Sequence, residues 1–298
     1  MQKNQALTHY KKAITATTKV YMQLTEKQII DFQKKIYDHY HTSGRTFSWR
    51  ETYNPYHIFV SEVMLQQTQT SRVEKKYKQF IARFANFASL AKAPLYEVLE
   101  AWQGLGYNRR AKFLHQSAQI ITAKFGSNIP NDTKTLQTLP GIGTATAASI
   151  AAFAFDAPTV FVETNIRVVF IHLFLKNQEN ISDAQLLSLA SQTIDTSSPR
   201  IWYYAITDYG AMLKSKGINP INKSKAYNKQ SKFQGSDRQI RGAIIRLLVQ
   251  QKKQLEHQIC ASLKEALHTK YDRTERIIQQ LIDEQLVVKQ GEYYCLKT

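Results

Sequence analysis

Between residues 55 and 155 the chain reads as a series of short helices: Ile58 to Leu65, Arg72 to Phe84, Leu95 to Trp102, Arg110 to Phe125, Thr133 to Leu139 and Thr144 to Phe155. Apolar residues recur at helical spacing in each, and Asn54-Pro55, Gly104-Leu105-Gly106 and Pro140-Gly141-Ile142-Gly143 break one from the next. The pattern predicts an all-α body. A second helical set covers Asn165 to Leu175, Asp183 to Thr193 and Pro199 to Leu213. Ahead of both, an amphipathic pattern runs through Ile29, Ile30, Phe32, Ile36 and Tyr37. Residues 1–21, rich in Lys and Thr with weak periodicity, are expected to be a disordered extension, with Met22 an alternative start.

Residues 214–236 read as a basic loop, with Lys214, Lys216, Lys223, Lys225, Lys229 and Lys232 spaced by Gly, Asn, Ser and Pro. Two readings stand side by side, a solvated connector and a track for a polyphosphate. From residue 237 the apolar positions Ile240, Ile244, Leu247 and Leu248, then Leu255, Ile259 and Leu263, then Ile277, Leu281 and Ile282 predict three more helices. Two β-rich runs, Leu286-Val287-Val288 and Tyr293-Tyr294-Cys295-Leu296, flank a Gln290-Gly291 turn as in a hairpin. Three helices and a hairpin describe a winged-helix-like module, a class that binds DNA often and proteins nearly as often.

With 298 residues, 43% of them hydrophobic and 21% charged, the chain has enough apolar surface for a core, which excludes disordered and fibrous classes. Forty Lys and Arg against 23 Asp and Glu leave a formal net charge of +17, which favours a polyanionic partner, nucleic acid first among them. A ribosome-associated or membrane-surface protein would carry a similar total. Cys260 and Cys295 are the chain's two cysteines, too few for a four-thiolate zinc or iron–sulfur site, so no metal is expected. The longest apolar runs fall far short of the roughly 20 residues of a membrane span. A soluble cytoplasmic protein with no membrane partner is the expectation.

Three positions invite chemistry. Glu62 lies between Phe59-Val60 and Val63-Met64-Leu65 on an expected helix, where desolvation would raise its pKa towards that of a general acid. Taken alone, it also reads as a surface residue at the edge of a buried stripe. Glu163 follows the β-like run Thr159-Val160-Phe161-Val162 and precedes a helix, where backbone N–H groups and the helix dipole should keep it ionised; a plain capping role is the alternative. Together, one neutral and one anionic carboxyl are the pair that cleaves a glycosidic bond through an oxocarbenium-like transition state. Finally, Leu139, Gly141, Ile142, Gly143 and Thr144 form a glycine-containing turn ahead of a helix N-terminus, a helix-hairpin-helix signature suited to a DNA phosphate.

With those elements in order, the sequence resembles the helix-hairpin-helix DNA glycosylases, and among them the MutY-type adenine glycosylases. The likeness covers residues 47–213 and rests on Phe47-Ser48-Trp49-Arg50, Ser61-Glu62-Val63-Met64-Leu65-Gln66-Gln67-Thr68-Gln69, Gly104-Leu105-Gly106-Tyr107, Leu139 to Gly143 and Asp208-Tyr209-Gly210-Ala211-Met212. It implies a two-lobed helical fold over residues 22–213. About 55–158 would form a six-helix barrel lobe, 22–54 with 159–213 the second lobe, followed by the 214–236 loop and a winged-helix-like α/β module over 237–298. It implies further that Glu62 protonates a departing adenine and positions the water, that Glu163 is the catalytic anion and Asn165 its helper. By the same likeness, Trp49, Arg50, Leu65 and Asp208 line or support the base pocket, while Gln67 and Tyr107 insert into the base stack. Lys214, Lys216, Lys223 and Lys225 would follow the DNA backbone. The partner would be mismatched or damaged duplex DNA, bound by a monomer in the nucleoid.

The chain departs from the family pattern at four places. Glu163 stands where the family has Asp. Ala145 stands where lyase relatives carry a Schiff-base lysine, which predicts a monofunctional hydrolase. Lys and Asn occupy the region where many relatives hold an iron–sulfur cluster, so no cofactor is expected, a structural monovalent cation at the hairpin being left open. The winged-helix-like segment replaces the domain that reads 8-oxoguanine. The substrate expected is adenine opposite 8-oxoguanine or guanine; another base, or a lesion-binding role without chemistry, are the alternatives.

Overall fold

The computed structural model describes residues 21–297; the extension expected over residues 1–21 lies, Tyr21 apart, outside them. The described chain is mainly helical, with one small sheet near its C-terminal end, and divides into two compact units. Among the described residues no helix is long and apolar enough to cross a membrane.

The first unit comprises the described residues up to Ile58 together with Asn131–Gln137 and Gly143–Lys229. Its helices are α1 (Glu26–Ser43), α7 (Thr133–Leu136), α8 (Thr144–Phe155), α9 (Thr164–Leu173), α10 (Asp183–Thr193) and α11 (Pro199–Ser215). Local chemistry sets several of their starts: Thr25 and Gln28 close a capping box on α1, as Ser182 and Gln185 do on α10. In α1, Phe32 and Ile36 turn inward whereas Ile30 faces solvent, so the buried stripe is narrower than the sequence pattern suggested. One apolar core joins Phe32, Phe153, Phe161, Phe170 and Trp202.

The second unit comprises Phe59–Pro130, Thr138–Ile142 and Gln230–Thr298. It holds α3 (Thr70–Arg83), α4 (Phe87–Lys92), α5 (Leu95–Ala101) and α6 (Arg109–Phe125). Helix α2 (Pro55–Leu65) contains the division between the units. Helix α8, expected in the same lobe as α3 to α6, belongs instead to the first unit. The short α4 had no separate periodic signal; Asn86 and Ser89 cap it and Phe87 and Leu90 anchor it. The C-terminal part of the unit runs α12 (Asp237–Gln251), β1 (Lys253–Leu255), α13 (Glu256–Leu267), α14 (Tyr271–Asp283), β2 (Val287–Gln290) and β3 (Tyr293–Leu296). The expected hairpin is present, with Val287 opposite Leu296 and Gln290 opposite Tyr293. Strand β1 adds to its free edge, Lys253 pairing Cys295 and Leu255 pairing Tyr293, in the order β1-β3-β2. Three residues are too short for an alternating pattern, so this strand was not legible in the sequence.

Candidate active site

In the first unit the approach to Glu163 is set by Tyr203. Val160 to Val162 are buried and Thr159 is half-buried, yet despite its β-like composition the run belongs to no strand. Instead the Tyr203 hydroxyl donates to the Thr159 carbonyl at 2.7 Å and accepts from the Phe161 N–H at 3.4 Å, and its ring stacks on Phe161 at 4.0 Å. One side chain thus serves the polar backbone that a neighbouring strand would otherwise satisfy. The segment delivers Glu163 to the N-cap of α9, where Oε1 accepts from the backbone N–H groups of Asn165 at 2.8 Å and Ile166 at 3.0 Å. The Asn165 Nδ2 adds a contact to Oε2 at 3.3 Å.

The carboxyl pKa of Glu163 differs from the sequence expectation. Burial pushes it above the ordinary value of 4.5, while the Asn165 and Ile166 N–H groups, the Lys214 charge and the Asn165 amide pull it down. The helix terminus is as predicted, but desolvation outweighs it, so the charged form is disfavoured relative to an exposed carboxyl. A desolvated carboxylate responds strongly to positive charge developing nearby.

Arg50 and Asp208, also in the first unit, are bound to one another. Asp208, its side chain wholly buried, accepts from Arg50 Nη1 at 2.8 Å and Nη2 at 2.7 Å, and from the backbone N and Nε of Arg45 at 2.7 Å each. Burial works to raise the Asp208 carboxyl, but the Arg50 and Arg45 contacts hold it below the usual range. The Arg50 guanidinium lies over Phe47 and Tyr204, and Trp49 stacks on Phe47 at 4.7 Å. The Asp208 charge is compensated by both guanidiniums, and the ensemble braces an aromatic platform.

In the second unit Glu62 is half-buried on α2, next to buried Ser61, Val63 and Met64, and Leu65 ends that helix half-buried. The turns that follow carry the two residues expected to enter DNA. Gln67 and Tyr107 both adopt left-handed backbone conformations, φ 51° and 50°, which is uncommon for residues with a Cβ. Arg110 ties the two turns together. Its Nη1 donates to the carbonyls of Val63, Met64 and Gln66 at 2.6–2.9 Å, and its Nη2 to Thr68 Oγ1 at 2.8 Å and the carbonyls of Leu105 and Gly106 at 3.3 and 3.2 Å. Burial brings its pKa down to about 10, which leaves it charged at neutral pH. The Tyr107 hydroxyl is held by Arg238 Nη1 at 2.7 Å and by Gln230, both from the C-terminal stretch. A cleft of about 510 Å³ opens here, lined among others by Gln66, Gln67, Tyr107, Arg109, Arg238 and Arg241.

At the hairpin, Leu139 and Ile142 are buried while Gly141 and the first turn of α8, Gly143 to Ala145, are exposed. Gly141 has φ 76°, and a Cβ there would press on the Phe113 ring. Its carbonyl accepts from Gln66 Nε2 at 3.2 Å, which links the turn to the segment after α2.

The basic loop is less uniform than its composition implied. Lys214 belongs to the last turn of α11 and its Nζ donates to Asn165 Oδ1 at 3.2 Å. Lys223 ends a 3-10 turn (Pro220–Lys223), paired with Glu179 at 2.7 Å and with the Lys176 carbonyl. Lys216 and Lys225 are exposed. Nothing in the immediate sequence of Arg110, Tyr203 and Arg45 separates them from surface arginines and core tyrosines, and Arg238, one more cation of the basic stretch, is held at Tyr107. A four-thiolate cluster does not fit this donor set, since the chain has two cysteines, both free thiols.

Residues 60–268 match the HhH-GPD superfamily base excision DNA repair protein family. The adenine DNA glycosylase of Mycolicibacterium smegmatis is 34% identical over 230 residues, covering 71% of this chain and 77% of that protein. That of Buchnera aphidicola is 36% identical over 194 residues, covering 63% of this chain and 54% of its own length. A thermostable thymine-DNA glycosylase structure superposes with a TM-score of 0.58 at 27% identity, over 64% of this chain and 89% of that one. The chain thus spans from about half to three quarters of these two adenine glycosylase relatives. A match over most of its length, on the residues that build the Glu62 helix and the hairpin, makes this chain a member of the HhH-GPD superfamily of base excision DNA repair proteins.

Proposed function

We propose that the protein is a monofunctional DNA glycosylase of base excision repair that extrudes adenine mispaired with 8-oxoguanine or guanine and hydrolyses its N-glycosidic bond. The observation that carries the reading is Glu163: a desolvated carboxyl group whose oxygens accept from two backbone N–H groups and an amide, one residue ahead of a helix. The relatives named adenine DNA glycosylase support the choice of base.

In this reading Glu62 donates a proton to the departing adenine as the bond to C1′ breaks and its electron pair leaves with the base. The sugar gains oxocarbenium character, which the Glu163 carboxylate stabilises. Water adds to C1′ and gives its proton to the Glu62 carboxylate, restoring the acid. Gln67 and Tyr107, on turns fixed by Arg110, offset part of the few kcal/mol of unstacking. The hairpin turn and the first turn of α8 hold a phosphate. Ala145 supplies no amine, so no Schiff base forms and the strand is left intact.

Duplexes with A opposite 8-oxoguanine, A opposite G, U opposite G and T opposite G, followed by alkali, test the reading. Adenine-specific abasic sites are expected, and Glu62→Gln should abolish them with duplex affinity within a few fold. Retardation of every duplex without any abasic site would leave a lesion-binding protein. Full activity of Glu62→Gln would remove the assigned acid.

A further inference from the structure

Lys214 is exposed, yet its Nζ reaches Asn165 Oδ1 at 3.2 Å. The same side chain directs its Nδ2 to Glu163 Oε2 at 3.3 Å while its backbone N–H binds Oε1 at 2.8 Å. An amide has one accepting and one donating end, and a cation on the oxygen leaves only the NH₂ for the carboxylate. Turned the other way, the amide would set its oxygen against the carboxylate. We propose that Lys214 is a positioning residue for the Glu163 carboxylate, acting through the Asn165 amide. The inference rests on Glu163 being the anion of the proposed reaction.

The helix geometry brings the three groups together. Gly210 lies where any Cβ would run into the Asn165 carbonyl, so α11 passes close to the first turn of α9. Lys214 is four residues further, on the same face of α11. Several other charges near these helices are engaged elsewhere. Arg167 pairs with Asp183 at 2.5 Å, Asp208 with Arg45 and Arg50, and Lys223 with Glu179. Burial pushes the Tyr209 hydroxyl up, so it stays neutral, and His172 lies at the opposite end of α9. The positive charge of Lys214 also counters the burial that raises the Glu163 carboxyl.

The test is the pH dependence of single-turnover adenine release by the intact protein, Lys214→Met and Lys214→Arg. Loss of the cation should raise the acid limb of the Met variant by about half a unit, the effect left to a water-screened charge. The Arg variant should restore the parent limb, and duplex affinity should change by less than about twofold. A Met variant with the parent limb but weaker, less salt-dependent binding would make Lys214 a phosphate contact and overturn the inference. Should the parent release no adenine, the proposed function fails instead. The titration of the Glu163 carboxyl carbon, followed by NMR, still decides, because an unchanged midpoint in Lys214→Met removes the link.

Discussion

Glu163 combines two requirements that oppose each other, a charge the proposed chemistry needs and an environment that disfavours it. Because its folded-state pKa lies above the ordinary 4.5, the native protein binds more protons than the unfolded chain between those values. Stability attributable to this group therefore falls as pH rises through that window, and the penalty persists at neutral pH. Glu163→Gln is expected to raise the melting temperature by a few degrees at pH 7 while removing activity, with the difference closing below the ordinary carboxylate pKa. Thermal melts at the two pH values check this, and a lower melting temperature for the variant at pH 7 would show that the N-cap bonds outweigh desolvation. The position of this carboxylate was legible, since an extended run followed by a helical pattern puts Glu163 at a helix start. Its protonation balance was not, because that balance sets the burial produced by tertiary packing against the charge of Lys214, 51 positions away.

At the scale of elements, the turns after α2 and before α6 owe their shape to a guanidinium rather than to their own composition. Gln67 and Tyr107 have unfavourable backbone angles that neither glycine nor asparagine relieves, and Arg110 spans both turns with six acceptors. Arg110→Met would leave several buried carbonyls without a donor and should cost about 2–4 kcal/mol in urea unfolding. Hydrogen exchange should quicken first at residues 63–68 and 104–107. A variant as stable as the parent would mean the turns are held by packing alone. Of these elements, α2, α3, α5 and α6 were visible as periodic segments, whereas α4 and β1 were too short for a period and appear only through their caps and partners.

Across the whole molecule, the net charge of +17 argues for a polyanion, but the structure redistributes the cations that composition groups together. Lys214 and Lys223 are engaged with neighbouring groups, and Lys216 and Lys225 remain at the surface. Replacing Lys216 and Lys225 by Gln together should reduce the slope of log affinity against log salt by up to about 2, whereas Lys223→Gln should leave it nearly unchanged. Titrations of a duplex at several salt concentrations check both, and equal slopes for all variants would place the phosphate contacts elsewhere. Hydrophobic period, glycine-bearing turns and charge are properties of neighbouring residues, so the sequence by itself determined the helical class, the hairpin at Leu139–Gly143 and the two glutamates worth testing. Which cations face solvent, which arginine holds two turns and whether burial or a helix terminus governs Glu163 were decided by the tertiary structure alone. Desolvation and hydrogen-bond partnership arise between segments far apart in the chain, and no local pattern encodes them.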